Sequence, residues 1–139
     1  MNRNTAPNDL VDAAHTARNN AHAPYSGFFV GAALRDESGA IHIGCNVENA
    51  AYPEGNCAET SAIASMVVSG ARRITDVVII GGTKDDIAAC MPCGGCRQRL
   101  LEFADAQTTI WCADALGGEL KAFSMSALLP AAFDLDADQ

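Results

Sequence analysis

Apolar positions recur with two periods along the chain. Leu10, Ala14, Ala17 and Ala21 are spaced by three and four, with Asn8 and Asp9 available as caps, which predicts an opening helix over about residues 8–22, ended by Pro24. Phe29 to Leu34 is an apolar run, Ser38-Gly39 is a turn signal, and Ile41 to Val47 resumes in strand fashion, so this stretch reads as a hairpin. Asn49 to Asn56 reads as a loop. The small and apolar residues from Cys57 to Val68 predict a buried helix closed at Gly70. Asp76 to Ile80 is a β-branched run suited to a covered strand, which Gly81-Gly82 is expected to break. Pro92 stands at a helix start, and Cys96, Leu100 and Phe103 continue it to about 104. Thr108 to Cys112 reads as a short strand, Glu119 to Phe123 as a weaker one, and Met125 to Leu129 as a last short helix.

Helix, hairpin, helix, strand, helix, strand is the order of an α/β protein. The expected fold is a mixed sheet of about five strands covered by helices in a three-layer α/β/α sandwich. At 139 residues the chain fits one domain, since domains commonly run to roughly 100–150 residues. Residues 1–139 are therefore read as one catalytic domain, with about 1–7 and 135–139 flexible.

Charge narrows the function classes. Nine basic against seventeen acidic residues give a net charge of −8, and the basic residues are scattered apart from Arg72-Arg73 and Arg97/Arg99. A phosphate backbone needs a clustered basic face, so a nucleic-acid partner is disfavoured and a small substrate of low charge is expected. There is no run of about 18 apolar residues and no signal-like start, so a cytoplasmic location without a membrane partner is the default. Six cysteines in such a chain are read first for metal binding or catalysis.

The chemistry concentrates in Cys57-Ala58-Glu59 and Pro92-Cys93-Gly94-Gly95-Cys96, each at a predicted helix start. Spacing of i and i+3 puts Cys93 and Cys96 on one helix face, and the positive end of the helix dipole favours their thiolates. A structural zinc takes four protein ligands, whereas Cys57, Cys93 and Cys96 make three and leave a position for water, which suggests a catalytic zinc. Glu59, two residues after Cys57, is placed to move that water's protons. Three thiolates and Zn²⁺ sum to −1, so something must offset the charge. The helix N-termini contribute about half a positive charge each, and Arg97 is the zinc-site tuning candidate nearest in sequence.

Three alternatives stand beside this reading. Cys90, Cys93 and Cys96 open an iron–sulfur run, but Leu100 and Leu101 stand where its fourth cysteine and proline would be. A non-catalytic zinc-binding module has no use for Glu59. Deaminases of other amino-substituted nucleosides or heterocycles remain within reach. Cys45, Cys90 and Cys112 read as small buried residues, and His15, His22 and His42 as surface or packing residues.

The related deaminase signature carries a histidine in place of the first cysteine. Asn46-Val47-Glu48-Asn49, the two cysteine segments with Arg97-Gln98, the run from Tyr25 to Leu34 and Leu128-Leu129-Pro130-Ala131-Ala132-Phe133 together resemble the small, homotetrameric, zinc-dependent class of cytidine deaminases across nearly the whole chain. The resemblance implies hydrolytic deamination of cytidine and deoxycytidine to uridine and deoxyuridine in pyrimidine salvage, with one Zn²⁺ per subunit. Zinc hydroxide is the implied nucleophile and Glu59 the proton shuttle. It further implies substrate contacts from Phe28 to the base, from Asn46 and Glu48 to the ribose 3′-hydroxyl, from Ala58, and from Phe133 of a neighbouring subunit in active sites shared across the tetramer. Many relatives carry arginine directly after Cys-Ala-Glu, where this chain has Thr60.

Overall fold

The computed structural model describes residues 4–114 and 118–135. Helix α1 (Asn8–Asn19) turns Leu10, Ala14 and Ala17 inward. Its N-cap is Pro7 rather than Asn8 or Asp9, and it ends before residue 22 because His22 pairs instead with Val47. Strands β1 (Phe29–Asp36) and β2 (Ile41–Cys45) form the expected hairpin, with Ala33 opposite Ile43. Helix α2 (Ala58–Ser69) closes at Gly70, and β3 (Ile74–Gly82) follows.

Gly81-Gly82 does not break the strand after Ile80 but forms its last two residues. The chain reverses over Gly82, where a Cβ would stand 2.0 Å from the Asp86 carbonyl oxygen, and returns as the two-residue strand β4 (Ile87–Ala88) antiparallel to β3. Helix α3 (Gly94–Leu101) stops short of residue 104 because the Phe103 carbonyl accepts the Ile74 N–H at the start of β3. Strands β5 (Thr109–Ala113) and β6 (Leu120–Phe123) and helix α4 (Met125–Leu128) complete the order. Ser124 caps α4 by accepting the Ala127 N–H.

The sheet runs β2-β1-β3-β5-β6, parallel only between β3 and β5, and β4 on β3 raises the expected five strands to six. Side-chain alternation divides two cores. Val78, Ile80 and Trp111 face α1 together with Ala33, while Val77, Ile79, Ile110 and Cys112 face α2, α3 and α4. This is the α/β/α sandwich. Of the ends read as flexible, residues 1–3 and 136–139 lie outside the described residues, and Ala6 packs against the α1 core.

One close approach positions the site. A Cβ on Gly44 would stand 2.3 Å from Ala62 N and 2.5 Å from Ala58 O, so only glycine lets the first turns of α2 lie against β2. That contact sets the first turns of α2 against the end of β2, which Asn46 directly follows.

Candidate active site

Cys57 is the N-cap of α2 and Cys93 the N-cap of α3, both with extended backbone angles, while Cys96 lies in the first turn of α3. The two helix starts meet. All three sulfurs lie within 4.8 Å of one another, those of Cys57 and Cys93 4.0 Å apart. Cys96 is buried, whereas Cys57 and Cys93 are open to solvent. The hydrogen bond from Cys96 lowers the Cys57 thiol to about 6, helped by Cys93 and the Arg99 charge, and the same bond pushes Cys96 upward. A cluster that gives up one proton this readily, from soft donors at two helix N-termini, fits Zn²⁺.

Glu59 lies in the first turn of α2 and is only 4% exposed. Burial, with the adjacent Cys57 charge, raises its carboxyl to about 7, so it exchanges protons near neutrality. Cys90 and Cys112 are pushed up to about 12 by burial and stand outside the three-sulfur group. That geometry gives the iron–sulfur reading no support.

Arg97 is engaged with backbone carbonyls. Its Nε donates to the Pro92 carbonyl at 2.8 Å and its Nη1 to the Leu128 carbonyl at 2.7 Å, so it ties the approach to α3 onto α4. The guanidinium at the sulfurs is that of Arg99, whose Nη1 is 4.0 Å from Cys96 Sγ. The signal was present in the i, i+3 spacing from Cys96. Thr60 Oγ1 is buried without a hydrogen-bond partner among the described residues.

Of the expected substrate contacts, Asn46 and Glu48 are both linked to Phe28, the first directly and the second through Ser26. Asn46 Oδ1 accepts the Val30 N–H at 2.8 Å, and its Nδ2 donates to the Phe28 carbonyl at 2.9 Å, leaving one amide N–H uncommitted by these bonds. Glu48 accepts from the N–H groups of Tyr25 and Ser26 and from the Ser26 hydroxyl, which holds its carboxyl below the usual range. The half-buried Phe28 ring lies over Gly81, its Cε2 3.0 Å from where a Cβ there would stand. Ala58 is fully buried at the start of α2. Phe133 is 69% exposed, and its carbonyl accepts from Gln98 Nε2 at 2.9 Å.

A cavity of about 350 Å³ opens beside Glu48, lined by Tyr25, Ser26, Glu48, Asn49, Tyr52 and Gly55. Tyr25 and Tyr52 meet edge to face across it, 5.8 Å between ring centres. Sequence reasoning gave Ser26, Tyr25 and Tyr52 no individual role, although Ser-Gly ahead of Phe28 is a readable turn signal.

Three thiols with an adjoining proton-exchanging carboxyl are the construction of a hydrolytic metal centre rather than of a closed structural knot. Residues 5–112 match the family described as the cytidine and deoxycytidylate deaminase zinc-binding region, and the chain belongs to that family. It is 38% identical over 124 residues to a cytidine deaminase of Sporosarcina psychrophila, covering 89% of this chain and 88% of that one. A cytidine deaminase of Mycobacterium tuberculosis is 35% identical over 129 residues, covering 93% and 90%. The solved cytidine deaminase of Burkholderia pseudomallei superposes with a TM-score of 0.81 at 37% identity, covering 93% of this chain and all of that one.

Proposed function

We propose that this chain, as a single catalytic domain, hydrolyses the exocyclic amine of cytidine and deoxycytidine, giving uridine or deoxyuridine and ammonia. The observation that carries the reading is Glu59: a carboxyl raised to about 7 by burial, directly beside three clustered cysteine sulfurs. Cys57, Cys93 and Cys96 would hold Zn²⁺, which when bound would supply Lewis acidity at the position where water meets C4. Glu59 passes one proton of the attacking water to N3 and then carries the second, from the hydroxyl added at C4, to the exocyclic amine, so that ammonia leaves, the C4 carbonyl forms and N3 keeps its proton. Burial favours this work, because a carboxyl poised near neutral pH both accepts and returns a proton.

Phe28 packs on the base, and Ala58 lies against it at the first turn of α2. Asn46 and Glu48 hold the ribose 3′-hydroxyl, the amide through its uncommitted N–H and the carboxylate as acceptor. The cavity beside Glu48 has a carboxylate and no Lys or Arg in its lining, which favours nucleosides over their phosphates. Exposure of the Phe133 ring supports its insertion into a neighbouring copy's site, and thereby a homotetramer with shared active sites. Among the described residues no helix is long and apolar enough to cross a membrane. A cytoplasmic role in pyrimidine salvage accords with a nucleoside substrate.

The test is ultraviolet absorbance of the purified protein with cytidine, deoxycytidine, cytosine and cytidine monophosphate, beside a metal assay. The expected result is turnover of the two nucleosides with about one zinc per chain. Bound zinc without turnover of any of the four overturns the reading.

A further inference from the structure

We propose that Ser26 is a positioning residue that holds Glu48 and Phe28 as one unit on the sugar side of the site. The proposal rests on the reading above of those two residues as substrate contacts. The direction of each bond follows from chemistry. An ionised carboxylate cannot donate and a peptide N–H cannot accept, so the Ser26 hydroxyl donates to Glu48 Oε2 and accepts the Phe28 N–H at 3.0 Å. One hydroxyl thus joins a side chain just after β2 to the backbone just before β1.

The surrounding turn makes this possible. Gly27 adopts φ +67°, in the left-handed region, and donates to the Ala23 carbonyl. The reversal turns the Tyr25 and Ser26 N–H groups onto Glu48 Oε1, at 3.0 and 3.1 Å. Phe28 is therefore held from both ends of its backbone, by the Ser26 hydroxyl on its N–H and by Asn46 Nδ2 on its carbonyl at 2.9 Å. Ser26 itself lines the cavity beside Glu48.

Alanine at 26 leaves Oε1 with its two backbone donors but frees Oε2 to rotate and turns the Phe28 N–H to water. Ser26 is exposed, so the change opens no buried cavity. Orientation is lost while the fold is kept.

The experiment uses the full-length zinc-loaded protein as wild type, Ser26→Ala and Ser26→Thr, with steady-state kinetics on cytidine and on 3′-deoxycytidine, and thermal melting of each. Ser26→Ala is expected to raise KM for cytidine about three- to tenfold with kcat nearly unchanged, the size of one hydrogen bond's net contribution. Its preference for cytidine over 3′-deoxycytidine should shrink, and Ser26→Thr should restore both quantities. Unchanged KM and preference in Ser26→Ala beside an active wild type overturns the part assigned to Ser26 alone. So does a joint fall of kcat and melting temperature that threonine does not restore. A zinc-loaded wild type that turns over neither nucleoside overturns the reading of the site, and the assignment of Ser26 with it.

Discussion

The sulfurs of Cys57 and Cys93 lie 4.0 Å apart although 36 positions separate them in the chain, because the N-termini of α2 and α3 converge on one point. Zinc held at that point would crosslink the two helices. A ligand that binds only the folded state stabilises by mass action, about 3 kcal/mol at a hundred times its dissociation constant. Metal saturation should therefore raise the melting temperature of the metal-free protein by roughly 5–10 °C. Cys93→Ala should abolish both that rise and turnover, read by melting with and without zinc. A full zinc-dependent rise in the variant would remove Cys93 from the ligand set.

Glu59→Gln should keep zinc and lose turnover, because glutamine fills the same space but carries no transferable proton. Stability gives an independent reading. The folded-state carboxyl sits near 7 by burial, above the unfolded value of about 4.3, so ionisation opposes folding increasingly as pH rises between these two. Metal-free Glu59→Gln should match wild type near pH 4 and exceed it at pH 8, by on the order of 3 kcal/mol at full ionisation. Retained turnover would sink the shuttle assignment, and identical melting at pH 8 would sink the burial account.

Local signals recovered the scaffold where periodicity is long and burial one-sided, as in α1 and the β1–β2 hairpin. They missed β4, because two residues carry no period and Gly81-Gly82 reads as an end when it serves as the ground over which the chain folds back. Cys57, Cys93 and Cys96 were legible because helix-start chemistry and ligand spacing coincide within short segments. Arg97 is next to Cys96 in sequence, but adjacency in sequence is not adjacency on a helix: Arg99, three positions from Cys96, shares its face. The bond from Ser26 to Glu48 spans 22 residues, and no local pattern announces it.

Arg99 and Arg97 should separate cleanly under substitution. Removing the Arg99 charge raises the thiol pKa of Cys57, and zinc binds the thiolate, so Arg99→Gln should weaken zinc about two- to fivefold at neutral pH and less at alkaline pH. Arg97→Gln removes two bonds to backbone carbonyls and should instead lower the melting temperature by roughly 3–10 °C. Chelator competition and melting on both variants check this. A larger loss of zinc affinity in Arg97→Gln than in Arg99→Gln would restore Arg97 as the tuning residue.

Asp36 carries the last test, at the turn that sets the register of β2. It is 3% exposed and accepts from the Ser38 N–H and hydroxyl at 2.7 and 2.6 Å and from the Ala40 N–H at 3.1 Å, with His42 Nε2 2.7 Å away. Those bonds, Ser38 first and His42 next, hold its carboxyl well below the usual carboxylate range. A depressed carboxyl stabilises the fold above its unfolded value of about 4, and that contribution is lost as pH falls toward the folded value. Asp36→Asn should therefore melt lower than wild type at pH 7, with the gap narrowing steadily below about pH 4. A gap of equal size at pH 3 and pH 7 would show that shape rather than charge closes the turn. The consequence reaches the site, because β2 delivers Gly44 to the first turns of α2 and leads directly into Asn46: a slipped hairpin moves both, and turnover should fall in Asp36→Asn well below the temperature at which it melts.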